Sequence, residues 1–277
     1  MNFDYICVKV NSNVRPSSFM GSTLRGTFGH LLKEDVCIEP SYECKGCKYC
    51  DACLYYDFYE SNSLYRSFRF DIRLDQKNYD FGLYLFGDHS KQLRTLIKVL
   101  KTMLASKKLT HEKISFPENT ISLNNNTLTF DKNRRLDAFS STTQTLNFKK
   151  YSKDISINIL TPILIKDKNS KRPYKQVLTI EDILLSVYKR KTFFETKEFI
   201  ETLPYIPEYK LLSSHFQDAQ TKRRSDRQQQ KIILKGVVGE LIVTNLDTES
   251  YELLKWGEIL AGGNKTAFGH GAIKLTI

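Results

Sequence analysis

The sequence predicts an α+β fold in which the order strand, helix, strand, strand, helix, strand runs twice along the chain, and three observations carry that expectation. Phe68, Phe70, Ile72 and Leu74 alternate with Arg69, Asp71 and Arg73, the period-two signature of a half-buried strand. Leu93, Leu96, Ile97, Leu100 and Leu104 recur at helical spacing, so one stripe of a helix is apolar. Beyond a polar stretch from Asp131 to Thr145, alternation resumes at Ile155, Ile157 and Ile159. A chain of 277 residues is long enough for two modest domains or one large one, and 40% hydrophobic composition can fill a core.

Taken in order, Phe3 to Val10 alternates as the first strand. Arg15 and Pro16 lead into Ser17 and Ser18, which read as caps for a helix to about Lys33 with Leu24, Phe28, Leu31 and Leu32 on its apolar face. Gly21, Gly26 and Gly29 fall inside that helix, where each glycine costs about 1 kcal/mol relative to alanine. They suggest close contact with another backbone or a ligand. Phe81 to Phe86 makes a further strand, the Leu93 to Leu104 helix follows, and residues 113–131 read as strand with an Asn-rich hairpin turn at Asn124 to Asn126. This is the ferredoxin-like order, with a cysteine-rich segment inserted after the first helix.

The polar stretch from Asp131 to Thr145 reads as a linker. In the second half, Thr179 with Asp182 forms a capping box ahead of Ile183, Leu184, Val187 and Tyr188. Lys231 to Leu246 is strand-like, a helix bearing Trp256 begins near Glu249, and Ala272 to Ile277 alternates as the final strand. No internal repeat can be aligned, so the second copy rests on element order and on a resemblance given below.

Composition limits the partners. Lys and Arg number 42 against 31 Asp and Glu, a formal charge of +11, which favours a polyanion. Eight basic residues against two acidic ones lie between Lys149 and Lys175, and the KRRSDRQQQK run from Lys222 adds five against one. Two such runs in an aromatic-rich chain point to a nucleic-acid groove, in which phosphates supply affinity and rings or guanidinium groups stack on bases. No run of eighteen apolar residues occurs, and MNFDYICVKV alternates like a strand, so a soluble, cytoplasmic protein with no membrane partner is expected.

Five of the six cysteines fall between Cys37 and Cys53, and in a chain without a secretion signal this argues for a metal site over disulfides. Cys44, Cys47, Cys50 and Cys53 are spaced by three, with Cys37 seven residues upstream of the first. Four thiolates close a tetrahedral shell and make a structural zinc site. The spacing resembles part of an iron–sulfur ligand run, but the last gap is too short and no proline follows Cys53, so zinc is preferred.

The C-terminal stretch holds four glycines, Gly262, Gly263, Gly269 and Gly271, within ten residues, with Lys265, Thr266 and His270 among them. Without a Cβ, glycine lets a polyanion approach main-chain N–H groups, so the loop reads as a wall of accessible backbone. The alternative is a helix C-cap followed by a tight turn into the last strand.

The run GGNKTAFGHGAIKL is similar to the C-terminal glycine-rich loop of the CRISPR-associated repeat-RNA endoribonucleases of the RAMP superfamily. LRGTFGHLLK at 24–33, the cysteine segment, TPILIK at 161–166 and KRRSDRQ at 222–228 fit the same family in the same order and, taken together, cover most of the chain. The resemblance implies two tandem ferredoxin-like (RRM-like) domains, 1–135 with a metal module at about 37–56, and 145–277 with the glycine-rich loop. It implies cleavage of CRISPR precursor RNA within repeats, leaving 2′,3′-cyclic phosphate and 5′-hydroxyl ends. Repeat RNA would be the partner, with other CRISPR effector subunits as further partners. The family's cysteine pattern falls on Cys37, Cys44, Cys47 and Cys53, leaving Cys50 spare, although spacing alone equally allows the four evenly spaced cysteines.

RNA carries its own nucleophile, so cleavage needs a base for the 2′-hydroxyl, an acid for the departing 5′ oxygen and donors for the phosphorane charge, with no catalytic cofactor. His30 in RGTFGH matches the position from which the family draws its catalytic histidine, and Lys33, one turn on, is assigned the charge. His270 is the second candidate, in a slot that is often apolar in the family. RNA binding is assigned to Arg25, Lys222, Arg223, Arg224, Arg227, Gly263, Lys265, Thr266, Gly269, His270 and Gly271. His89, His111 and His215 lack motifs and read as surface residues. Two rival readings are a non-cleaving RAMP subunit that holds guide RNA in an effector complex and, from the cysteines alone, a redox protein.

Overall fold

The structure, a computed structural model, describes residues 1–110, 113–131, 135–140, 142–148, 151–167, 173–225 and 230–277, and the side chains of 223–225, 230 and 231 lie outside that description. Two units emerge: Asn2–Asp71 with Asp75–Thr145, and Leu146–Ile277 with Met1 and Ile72–Leu74.

In the N-terminal unit, β1 (Asn2–Val10), α1 (Gly21–Val36), β2 (Phe68–Asp71), β3 (Phe81–Phe86), α2 (Leu93–Ala105), β4 (Asn119–Leu123), β5 (Asn126–Thr127) and β6 (Gln144–Thr145) follow one another. The sheet order is β2-β3-β1-β4-β5, so the first strand sits between the third and fourth as the ferredoxin-like order requires. Ile6, Val8, Leu83 and Leu85 are fully buried, as are Leu96 and Leu100 of α2. Burial of each such side chain stabilises the unit by about 1.5–3 kcal/mol. From α1, Phe28 reaches the same core and meets Phe70 edge-on, with ring centroids 5.7 Å apart. The asparagine turn is built by Asn124 and Asn125, both at positive φ. Asn124 exchanges hydrogen bonds with Tyr5 like a strand residue: its N–H donates to Tyr5 O, and its Oδ1 accepts from Tyr5 N at 2.8 Å.

Three local expectations are corrected. α1 starts at Gly21, and its N-cap, Met20, makes no side-chain cap bond, because Phe19 and Met20 are buried and the chain docks them before the helix turns. The stretch read as a linker is part of the N-terminal sheet where Gln144 and Thr145 pair with Phe3 and Asn2. His89 is buried, not on the surface. It lies edge-on to Phe58 at 5.4 Å with Nε2 3.2 Å from Phe86 O, and burial lowers its pKa. His215 is exposed, and His111 lies outside the described residues.

The C-terminal unit repeats the order with β7 (Ile155–Ile163), α3 (Ile180–Thr196), β8 (Lys210–Ser225), β9 (Gln230–Thr244), α4 (Thr248–Leu260) and β10 (Ile273–Thr276), arranged β10-β7-β9-β8. The capping box forms as the sequence predicts: Thr179 Oγ1 accepts from Asp182 N, and Thr179 N donates to the Asp182 carboxylate. A two-residue shift in the pairing of β7 with β9 falls between Ile159 and Ile163, where Pro162 has no N–H to give. β9 pairs with β7 only from Val237 to Val243, but with β8 from Gln230 to Thr244, so the far end of the β8–β9 hairpin is a two-stranded ribbon. Among the described residues no helix is long and apolar enough to cross a membrane.

Candidate nucleic-acid interface and catalytic face

The exposed side of α1 carries His30. Its ring is 55% exposed, and Nε2 lies 2.9 Å from Glu34 Oε1, four residues on. A carboxylate there orients the imidazole and steadies it when protonated. Glu34 was missed by sequence reasoning, although the i,i+4 spacing in HLLKE is a signal. The two glycines flanking Phe28 serve different ends. Gly29 makes room for Tyr59, whose ring would stand 2.5 Å from a Cβ. Gly26 is exposed, four residues before His30 on the same face, and a Cβ there would meet nothing within 4 Å.

Arg25 and Lys33 turn toward the cysteine-rich insertion. The Arg25 guanidinium lies 4.5 Å from the Tyr59 ring centroid, and Tyr59 Oη donates to Arg25 O at 2.7 Å. Tyr59 stacks on Tyr55, with centroids 5.1 Å apart. Lys33 Nζ sits 5.1 Å from the Tyr55 ring and 5.0 Å from the Tyr42 ring. Cations and rings thus alternate along the insertion, and cation–π attraction helps to tie it to α1. Burial and nearby Glu60 push the Tyr55 hydroxyl up to about 12.

The cysteines lie on successive tight turns, with Cys47 N donating to Cys44 O, Cys50 N to Cys47 O and Cys53 N to Cys50 O. All five are half-buried and free. Among the described residues no group of three or more His, Cys, Asp or Glu side chains is placed so as to hold a metal ion.

The glycine loop connects α4 to β10, and its construction corrects the reading of its glycines as exposed backbone. Gly262, Gly263, Gly269 and Gly271 are buried. A Cβ on Gly271, at φ +73°, would lie 1.8 Å from Gly262 O, and one on Gly263 would lie 2.7 Å from Leu164 O. The glycines therefore let strands of backbone touch each other. Gly262 N donates to Gly271 O at 2.8 Å, Gly271 N to Pro162 O at 3.1 Å and Asn264 N to Leu164 O at 2.9 Å. Thr161 Oγ1 bridges the loop, donating to Gly269 O and accepting from Ala272 N, each at 2.8 Å. From α3, Ser186 Oγ accepts from Gly263 N, and the buried Arg190 donates to the carbonyls of Ala261 and Gly263, each at 2.5 Å. Arg190 too was missed, because a lone arginine in a helix carries no sequence signal of burial.

What the loop offers solvent is Asn264 and Lys265, with Thr266 and Phe268 half-exposed. His270 is fully buried, its Nε2 3.0 Å from Thr221 Oγ1 of β8. That contact joins the loop to the basic hairpin, since Lys222, next in β8, is exposed. Arg223 and Arg224 pair by backbone with Ile232 and Lys231, whereas Arg227 lies outside the described residues. His270 thus holds the two RNA-binding candidates together from within and is not on their surface.

Burial depresses the His270 pKa from 6.5 to about 4. The unfolded chain then binds more protons between those values, so the His270 contribution is complete above pH 6.5 and is lost as pH falls toward 4. The loss amounts to about 3 kcal/mol at most. Denaturant midpoints measured at pH 7 and pH 5 are expected to differ less for His270→Gln than for wild type. An equal difference would show that other groups set the acid sensitivity.

Residues 157–273, from β7 to the first residue of β10, match the family model of the CRISPR-associated endoribonuclease Cas6. The chain shares the double ferredoxin-like fold of solved Cas6 structures. Residues 4–137 match a second family model, described as an N-terminal domain. An uncharacterized protein of Archaeoglobus fulgidus is 24% identical over 279 residues, covering 93% of this chain and 91% of that one. A Cas6 product complex superposes with a TM-score of 0.53 at 12% identity, covering 100% of this chain and 99% of the other. A second Cas6 product complex gives 0.53 at 13% identity over 100% of both chains. Thermus thermophilus Cas6 gives 0.51 at 11% identity, over 99% of this chain and 98% of that one. At these identities the likeness is one of fold.

Proposed function

We propose that the protein cuts CRISPR precursor RNA within its repeats, without metal, leaving a 2′,3′-cyclic phosphate and a 5′-hydroxyl. The observation that carries this is His30, exposed on α1 with Glu34 behind its ring and the bare backbone of Gly26 beside it. The Cas6 family model over the C-terminal unit supports the substrate class. In this reading the imidazole removes the 2′-hydroxyl proton, the alkoxide attacks the adjacent phosphorus, and the imidazolium returns a proton to the departing 5′ oxygen. Glu34 steadies the charged ring between these steps. The phosphorane charge is assigned to Lys33, which would leave its tyrosine contacts to reach substrate.

Repeat RNA is held by Arg25, the exposed Lys222 and Lys265, and Thr266, with other CRISPR effector subunits as further partners in the cytoplasm. The test is incubation with repeat RNA in EDTA, followed by analysis of product ends. A need for added divalent metal would overturn the mechanism, and tight binding with no product would instead favour a guide-holding RAMP subunit. Structural zinc on Cys37, Cys44, Cys47 and Cys53, the set that the family resemblance implies, is a separate proposal. It requires those thiols to draw together on the ion, and stoichiometric zinc in purified, folded protein is its test.

Gly26 gives a sharper check. Replacement by alanine removes a helix-interior glycine with no clash, so Gly26→Ala is expected to raise stability by about 0.5–1 kcal/mol. The same methyl stands where the sugar–phosphate chain would approach His30, so single-turnover cleavage is expected to slow. Faster or unchanged cleavage in the stabilised variant would show that RNA does not approach over this turn.

A further inference from the structure

Away from the His30 face, the N-terminal unit holds a cavity of about 590 Å³ between α2 and the antiparallel bridge of Phe130 with Leu136. Among the described residues, Arg94, Lys98, Lys101 and Arg135 line it, against the single carboxylate of Asp35. Asp35 lies five residues beyond His30, about 140° around the helix at 3.6 residues per turn, so the cavity opens off a different side of α1. Phe130 contributes an aromatic face, with Lys101 Nζ 4.3 Å from its ring centroid. Arg94 Nη1 donates to Leu136 O at 3.1 Å, Lys101 Nζ donates to Asn119 Oδ1 at 3.2 Å, and Lys98 pairs with Asp35.

We infer that this cavity binds one nucleotide unit of single-stranded RNA, base against Phe130 and phosphate among Arg94, Lys98 and Arg135, as a contact additional to the cleavage site. The volume lies within the range of small-ligand pockets. An apolar wall with an aromatic ring suits a base, and a cationic rim suits the attached phosphate. Pairing of Lys101 with the Phe130 face shows that charge and π surface already meet there, and a nucleotide engages both. A purely apolar ligand would leave the excess of cations over the Asp35 carboxylate unanswered, whereas inorganic phosphate would make no use of the apolar wall. The inference rests on the reading of the protein as an RNA binder, not on its catalysis.

The experiment measures binding of a fluorescein-labelled ten-nucleotide RNA and of the whole repeat by anisotropy across a salt series, on protein carrying His30→Ala so that nothing is cut. Phe130→Ala is expected to weaken the ten-mer about tenfold, with Phe130→Tyr close to wild type. An abasic ten-mer of equal charge should bind both variants alike. Arg94→Ala with Lys98→Ala should lower the slope of log affinity against log salt by about one per lost phosphate contact. Asp35→Asn should tighten binding. Thermal midpoints confirm that each variant is folded. Wild-type affinity and salt slope in every cavity variant would overturn the inference, as would failure of the His30→Ala protein to bind either RNA. If the uncut wild-type repeat binds in a Phe130-dependent way and is never cleaved, the nuclease reading falls and the cavity stands.

Discussion

His30→Ala is expected to slow cleavage of repeat RNA by about 100- to 10,000-fold, the range over which a positioned acid–base group contributes, while RNA affinity changes little. The substitution is made on an exposed helix position, where alanine is the best helix former, so loss of fold does not enter the result. Single-turnover cleavage in EDTA reads the chemistry, and anisotropy with the intact repeat reads binding. Glu34→Gln serves as the companion. A carboxylate that orients the imidazole should, when removed, slow single-turnover cleavage and leave RNA affinity unchanged. Near-normal cleavage by His30→Ala would end the assignment, since the described structure places His270 and His89 in the interior.

Arg190→Met should destabilise the C-terminal unit by about 3 kcal/mol. Arg190 is 2% exposed, and its guanidinium donates to the carbonyls at the end of α4 and in the glycine loop. Methionine fills much of the same space but leaves these acceptors buried without donors, and each unmet buried group costs about 1–3 kcal/mol. Arg190→Lys is expected to rescue little, because an ammonium on a flexible stem cannot reproduce the planar fork that spans Ala261 and Gly263. The effect on RNA should exceed that on the fold. Lys265 sits at φ +64° on a loop whose shape Arg190 fixes, so weakened repeat binding is expected even in samples that remain folded. Chemical denaturation and anisotropy separate the two effects, and unchanged stability in Arg190→Met would show that the loop holds itself.

Local periodicity was legible wherever an element is amphipathic. The α2 leucines, the β7 isoleucines, the Thr179 capping box and the asparagine turn are each written in a few neighbouring residues, and the structure uses them as written. β8 was not legible. As an edge strand, with Leu211, Leu212 and most neighbours exposed, it has no apolar alternation to display. The functions of the glycines were not legible either. A glycine beside a tyrosine ring, a glycine beside open solvent and a glycine against a carbonyl look alike in one dimension, and only the neighbours at Gly29, Gly26 and Gly271 tell them apart.

The sequence by itself determined the element order and the basic balance, because each is a property of composition or short-range spacing. Tertiary structure alone decided that His270 is an interior strut, that Arg190 clasps the loop, that Glu34 backs His30 and that α2 borders a cationic cavity. Burial, hydrogen-bond partners and open space arise from residues far apart in the chain, and no local pattern encodes them.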